Sequence, residues 1–354
     1  MTGTLNLEIN RIAKSRLPEV DFSNIKFGKV YSDHMFMADY FDGKWQKFRI
    51  VPYGNLSLSP GTSVIHYGQS IFEGMKAHRN EDGEVLLFRP HENHQRMVAS
   101  AKRMCIPPPT EEMFLGGLME LLNLDKAWVP DVANTSLYIR PYMFATDEYI
   151  GIRPSDNYCF IIFTCPVGAY YTAPVRVKIE TKYTRAVEGG TGAAKAAGNY
   201  AGSLLPMVEA QKQGYNQLIY TDGQQHKYLE EAGTMNIMYV IDGKIVTAPA
   251  GTTVLKGITR ESVLILAKDW GYQVEERQIS VDELIEALQN NRVNEAFGTG
   301  TAATIAHIEA IGYEGKDYEL PAVEGREFSN KVLQELEDIK HGRKEDNRGW
   351  IVKL

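Results

Sequence analysis

Apolar and polar positions alternate in short blocks through the first part of the chain. Residues 29–38 and 45–53 carry the two-residue alternation of strands, with Asp42 and Gly43 between them as a hairpin turn. The acidic–glycine run Glu81, Asp82, Gly83 marks a second turn. Residues 68–76 read as a helix or a turn, and 85–88 as a short buried strand. Pro90 opens a helix over 91–105, which Pro107, Pro108 and Pro109 stop; 111–126 predicts a second helix. Residues 136–144 and 158–166 are nearly continuous apolar strands. Residues 1–20 read as a poorly anchored or surface-docked arm.

The pattern breaks at 166–174, PVGAYYTAP, two prolines and paired tyrosines between strands, which reads as an interdomain linker. Beyond it, strands are predicted at 175–181, 217–221, 228–231 and 236–240. A hairpin closes over 241–244, and a strand over 295–298 runs into a Gly-Thr-Gly-Thr loop at 298–301. Helices are predicted at 199–213, ended by Gly214, and at 259–270, ended by Gly271. Two more fall at 280–289, where Ser280 and Glu283 make a capping box, and at 324–338. Strands and helices segregate without a repeating βαβ rhythm. The expected class is therefore α+β with mixed or antiparallel sheets: a small N-terminal domain over 1–165, a linker over 166–174, and a large C-terminal domain over 175–354 carrying Lys195.

Composition narrows the function. The 354 residues carry a formal net charge of −7 and no dense basic patch, which argues against a nucleic-acid surface. No apolar run approaches the roughly 18 residues of a membrane span, and the N-terminal residues lack the apolar core of a signal peptide. Three cysteines, Cys105, Cys159 and Cys165, form no CxxC pair and read as reduced thiols of a cytoplasmic protein.

The candidate chemistry centres on 188–201, EGGTGAAKAAGNYA, where Lys195 sits among glycines and alanines. Such a loop is either a flexible surface segment or a cleared site for a Schiff-base lysine, whose amine must be partly neutral near pH 7. Residues 255–260, LKGITR, run into a helix whose first N–H groups suit a phosphate, or which Thr259 simply caps. The turn at 297–303, FGTGTAA, suits a small phosphate or carboxylate better than a dinucleotide, since the third glycine of that fingerprint is missing. Glu230 and Glu231 point to opposite faces of a strand, so one of them can be buried against a cation. Arg89 and Arg140 interrupt apolar segments just before a proline; each needs an anion, whether a ligand or a structural carboxylate. His91 and His94 have metal-pair spacing but no third ligand, so no metal is expected.

Eight strings together resemble the branched-chain-amino-acid aminotransferase family of fold-type-IV pyridoxal-phosphate enzymes. They are HYGQSIFEGMKAHR at 66–79, LFRPHENHQRM at 87–97, LYIRPYMF at 137–144, CPVGAYY at 165–171, the lysine loop, EEAGTMN at 230–236, LKGITRESVL at 255–264 and EAFGTGTAA at 295–303. The resemblance implies a two-domain fold, with Lys195 holding pyridoxal phosphate and moving the proton between the substrate's α-carbon and the cofactor. It implies that Glu231 faces the pyridine nitrogen, that Tyr200 bonds O3′, and that Arg89, Thr234, Ile258, Thr259 and Thr301 form the phosphate cup. Tyr67, Phe72, Tyr138 and Tyr170 would wall the side-chain pocket. Thr301 and Ala302 would hold the substrate's α-carboxylate, and Arg140 the distal carboxylate of glutamate. It implies ping-pong transfer from L-leucine, L-isoleucine or L-valine to 2-oxoglutarate in a homodimer, with 147–153 reaching the partner's site. D-amino-acid aminotransferase and aminodeoxychorismate lyase, which share the fold, are the alternatives.

Overall fold

Asp42 and Gly43 both adopt positive φ (52° and 76°), so the chain reverses within two residues and Phe41 pairs with Lys44. This hairpin begins a sheet seen in a computed structural model of the chain, which describes residues 5–354. The described residues form two units, one of residues 5–170, Ala194–Ala197 and Asp338–Leu354, the other of Tyr171–Ala193 and Gly198–Glu337.

The first unit carries strands β1 (Glu8–Ile9), β2 (His34–Phe41), β3 (Lys44–Pro52), β4 (Ser70–Phe72), β5 (Met75–Arg79), β6 (Val85–Phe88), β7 (Ser136–Ala145) and β8 (Tyr158–Val167). A terminal strand, Ile351–Lys353, completes the sheet in the order β1-β3-β2-β8-β7-β5-β6-terminal, with β4 also on β7. Residues 68–76, expected as a helix or turn, are instead β4 and β5. Gly68, at φ 64°, ends the short helix α1 (Ser63–Tyr67), and the next residues pair with β7, Ser70 with Phe144 and Met75 with Ile139. Helices α2 (Pro90–Arg103) and α3 (Gly117–Leu124) pack on one face of the sheet. Alternation along β2 and β8 divides their side chains. Phe36, Ala38, Phe160 and Ile162 join Met97, Phe114, Leu118 and Leu121 in the core, while Met35, Met37, Cys159 and Ile161 form a second cluster with Phe144.

The second unit is a mixed sheet of β9 (Val175–Glu180), β10 (Gln217–Thr221), β11 (Leu229–Ala232), β12 (Asn236–Ile241), β13 (Lys244–Thr247), β14 (Val274–Glu276), β15 (Val293–Gly300), β16 (Thr304–Tyr313) and β17 (Lys316–Glu319). Strand β9 lies parallel to both β10 and β16. The predicted helix over 199–213 is two pieces, α4 (Ala197–Ala201) and α5 (Leu204–Lys212). Helices α6 (Ile258–Asp269), α7 (Val281–Gln289) and α8 (Glu327–Lys340) follow. Ser280 caps α7 by accepting the Glu283 N–H, half of the expected capping box. Helix α8 begins later than expected because the buried Glu295 carboxylate accepts the N–H groups of Phe328 and Ser329 at 2.8 Å each, fixing its first turn.

The boundary between the units falls at Tyr170 and Tyr171, inside the predicted linker. Two segments differ from the expectation that 175–354 is one domain. Ala194–Ala197 belongs to the first unit because Ala194 and Ala196 enter its core, and Asp338–Leu354 belongs there because its terminal strand pairs with β6. No described helix is long and apolar enough to cross a membrane.

Candidate active site

In the first unit, Lys195 lies in a short extended segment. Its carbonyl accepts the Phe72 N–H at 3.0 Å, its N–H donates to Ser100 Oγ at 2.9 Å, and Ala196 bridges Ile71. Alternation sends Ala194 and Ala196 into the core and leaves Lys195 half-buried. These small side chains thus fit the segment against β4 and α2, rather than clearing space as the sequence suggested. The amine stands 4.9 Å from the centroid of the Phe72 ring.

The same ring takes a second cation. Arg140 Cζ lies 4.6 Å from its centroid, and Arg140 Nη2 donates to the Tyr138 hydroxyl at 2.9 Å. Arg140 Nε is buried with no hydrogen-bond partner, a donor with capacity to spare. Gly74 makes the Tyr138 position possible, since a Cβ there would fall 2.2 Å from the Tyr138 hydroxyl. Phe27 meets Tyr138 edge-on at 5.1 Å and Tyr170 at 5.2 Å. Phe72, Tyr138, Arg140 and Tyr170 are therefore linked, through a Phe27 that sequence reasoning missed. Tyr67 is exposed at the end of α1 and faces His66 instead.

Beneath this group lies a buried ion pair that the sequence did not reveal. Glu73, wholly buried, accepts from Arg96 Nε and Nη2 at 2.8 Å each and from Asn93 Nδ2 at 2.8 Å. Burial raises its pKa, but the Arg96 guanidinium, assisted by Lys195 and Asn93, outweighs that and holds the carboxyl below its ordinary value. Arg89 stands at the start of α2 in a left-handed conformation (φ 49°), with its guanidinium carbon 5.3 Å from the centroid of the Trp350 ring. His91 pairs with Glu111 at 2.7 Å and His94 with the Pro109 carbonyl at 3.0 Å, so each imidazole of the suggested metal pair has a different partner.

In the second unit, Glu231 is buried on β11. Its Oε1 accepts the Leu255 N–H at 2.8 Å and lies 2.6 Å from Arg185 Nη2, while Oε2 accepts Asn236 Nδ2 at 2.9 Å. Asn236 also donates to the Leu255 carbonyl. Gly257 is required here: a Cβ would sit 2.0 Å from Asn236 Oδ1. The LKGIT and EEAGTMN strings are thus joined physically by Asn236, which, like Arg185, no sequence signal marked. Glu230 turns the other way and accepts from Thr253 Oγ1 at 2.5 Å. Its carboxyl pKa is raised by burial.

Ile258 and Thr259, both buried, form the first turn of α6 behind Gly257. That turn presents backbone N–H groups with no intrahelical acceptor. Thr234 is exposed in the bend between β11 and β12, and Tyr200 lies half-buried on α4. The predicted loop at 298–301 is shorter than expected. Strand β15 runs to Gly300, which pairs with Thr304, leaving Thr301, Ala302 and Ala303 as the turn. Gly298 serves close packing within the strand, since a Cβ there would fall 2.1 Å from Met235 Sδ.

Residues 70–311 match the family model of amino-transferase class IV. The chain is 42% identical to branched-chain-amino-acid aminotransferase 2 of Bacillus subtilis over 355 residues, covering 99% of this chain and 97% of that one. It is 39% identical to the branched-chain-amino-acid aminotransferase of Mycobacterium tuberculosis, covering 93% and 92%. Among solved structures, it is similar to the branched-chain aminotransferase of Thermoproteus uzoniensis with norvaline (TM-score 0.74, 26% identity, covering 90% and 99%). It is also similar to the branched-chain amino acid aminotransferase of Escherichia coli (TM-score 0.72, 28% identity, covering 90% and 98%).

Proposed function

Because the chain belongs to the amino-transferase class IV family, we propose that it transfers the amino group of L-leucine, L-isoleucine or L-valine to 2-oxoglutarate, using pyridoxal phosphate. The observation that carries this reading is the identity of 42% across 99% of the chain to an enzyme of that name.

The residues fit such a cofactor. A phosphate needs oriented donors, and the first turn of α6 supplies backbone N–H groups at Ile258 and Thr259. A pyridinium needs an acceptor, and Glu231 is a buried carboxylate with Arg185 2.6 Å from one oxygen. Asn236 holds the other oxygen, so the carboxylate is fixed before any ligand arrives. When bound, the cofactor supplies an electron sink for the carbanion left by loss of the α-proton.

Within the proposal, Lys195 is anchor and proton carrier, and Tyr200 bonds the ring oxygen. Arg89, Thr234, Ile258, Thr259 and Thr301 hold the phosphate. Phe72, Tyr138 and Tyr170 bury the aliphatic side chain, worth about 1.5–3 kcal/mol when complete, and Tyr67 is assigned to the same wall. The Thr301–Ala302 N–H groups take the α-carboxylate. Arg140, whose Nε is buried without an acceptor, takes the second carboxylate of glutamate or 2-oxoglutarate. The same pocket then accepts a neutral and an acidic side chain in alternation.

The working form is a homodimer. Its support is the loop at 147–153, which exposes Tyr149, Ile150 and Ile152, the last at 95%. Its placement is the cytoplasm; the support is that Cys105, exposed, and Cys159 and Cys165, buried, are all free thiols.

The test is turnover of L-leucine against D-alanine with 2-oxoglutarate, followed by glutamate or D-glutamate formation. Glutamate from L-leucine, L-isoleucine or L-valine supports the reading. D-glutamate from D-alanine alone, with no turnover of the L-amino acids, replaces it with a D-amino-acid aminotransferase.

A further inference from the structure

Lys195 is held between two elements by its own peptide groups. Its N–H donates to Ser100 Oγ on α2 at 2.9 Å, and its carbonyl accepts the Phe72 N–H on β4 at 3.0 Å. On either side, Ala194 and Ala196 are buried in the core of the first unit, and Ala196 bridges Ile71. The amine can reach a reacting carbon only from where α2 and β4 leave the lysine backbone, so the spacing of those two elements matters to the chemistry.

Glu73, the residue after Phe72, spans that spacing. It is wholly buried, and its backbone N–H donates to the Pro141 carbonyl at 2.8 Å. Its side chain crosses to α2, where Arg96 Nε, Arg96 Nη2 and Asn93 Nδ2 each donate to it at 2.8 Å. Asn93 also donates to the Gly74 carbonyl at 3.3 Å. Asn93, Arg96 and Ser100 are spaced three and then four apart, so they share one face of the helix. That one stripe of α2 grips the end of β4 through Glu73 and the lysine through Ser100. Apolar packing alone would let helix and strand slide, whereas a bidentate pair fixes geometry as well as energy. Against burial, which raises it, the Glu73 pKa is held down first by Arg96 and then with help from the charge of Lys195, so the carboxylate and the amine sense one another.

We propose that Glu73 is a positioning residue for Lys195: by bonding to Arg96 and Asn93 it locks β4 to α2 at the spacing at which Phe72 and Ser100 hold the lysine backbone. The proposal rests on the reading of Lys195 as proton carrier and adds the residue that fixes its place. A misplacement of about 1 Å in a reacting group costs up to about 100-fold in rate, so a buried pair that touches no ligand can govern kcat.

The test compares wild type with Glu73→Leu/Arg96→Met, which removes the pair without leaving a lone charge and so keeps most of the stability. Asn93 retains the Gly74 carbonyl in that variant. Should it not fold, Glu73→Gln assayed well below its melting temperature replaces it. In the apo-protein, hydrogen exchange read by mass spectrometry quickens in the peptides holding Phe72 and Lys195 and keeps the wild-type rate in those of β8. In the holoenzyme, kcat for L-leucine with 2-oxoglutarate falls about ten- to 100-fold at little-changed KM. In a Lys195→Ala background, with methylamine supplied as the base, the same substitutions cost nothing further, because they act through the lysine. Wild-type kcat in the variant, exchange that quickens throughout the unit, or a loss of rate that persists in the Lys195→Ala background overturns the proposal. A wild type that turns over no substrate removes the reading of Lys195 itself, and the exchange result then decides whether Glu73 fixes that segment.

Discussion

Replacing Glu73 with glutamine exposes the energetics of the ion pair beneath the candidate site. The substitution keeps the shape of the side chain but removes the charge that Arg96 faces through two bonds of 2.8 Å. Glu73 is wholly buried and the Arg96 side chain is only 11% exposed, so water cannot replace the lost carboxylate. Breaking one side of such a pair costs about 3–5 kcal/mol, because the other charge stays buried without this counter-charge. For a unit of roughly 150–250 residues each kcal/mol moves the melting temperature by about 2–4 °C, so Glu73→Gln lowers it by roughly 6–20 °C. The double variant Glu73→Leu/Arg96→Met, apolar and of similar volume, recovers most of that loss. The pH dependence follows from the sign of the shift. The folded carboxyl is held below the ordinary value of 4.5, so its contribution is complete above that value and is lost as pH falls through the folded one. Differential scanning calorimetry from pH 3.5 to 8 therefore shows a gap between wild type and Glu73→Gln that is constant near neutrality and narrows in acid. A gap under about 2 °C at pH 7, or one that widens on acidification, refutes the account.

Three further outcomes follow from the site. Lys195→Ala abolishes transamination by several orders of magnitude with little change in the melting temperature, because its alanine neighbours rather than its own side chain fill the core; steady-state rates and a thermal melt check both halves. Gly257→Ala displaces Asn236, whose Oδ1 would lie 2.0 Å from the new Cβ; the strain costs about 1–3 kcal/mol and weakens cofactor binding by apo-protein titration, whereas unchanged binding would show that Asn236 does not secure Glu231. Arg140→Met raises KM for 2-oxoglutarate about ten-fold or more, the loss of a charged hydrogen bond, while KM for L-leucine changes little; equal effects on both substrates would remove Arg140 from the acidic-substrate role.

Some of this was readable in the chain and some was not, for physical reasons. Two-residue turns announce themselves through residues that tolerate positive φ, and the Asp42–Gly43 and Asp242–Gly243 hairpins formed where the sequence put them. Periodic apolar helices such as α2 and α7 were equally plain. Strands β4 and β5 were not, because Glu73 and Gly74 interrupt their alternation, and both residues answer to partners distant in sequence, Arg96 and Tyr138. Strand β16 was hidden behind the glycine-rich run before it, where Gly298 serves Met235 rather than a turn. In the candidate site the lysine loop, the EEAGTMN and LKGIT strings and Arg140 stood out by composition. Arg185, Asn236 and Phe27 did not, since a side chain that orients another leaves no local pattern.

Strand Ile351–Lys353 closes an edge of the sheet to which residues 34–52 contribute their own hairpin. On a ribosome, all nine strands of the other sheet emerge in the interval, so β6 waits with an unpaired edge for most of the chain's synthesis. A nascent chain stalled before residue 350 therefore holds a first unit with one flank open to the wrong neighbour. Premature termination there should yield inclusion bodies rather than a merely weaker enzyme.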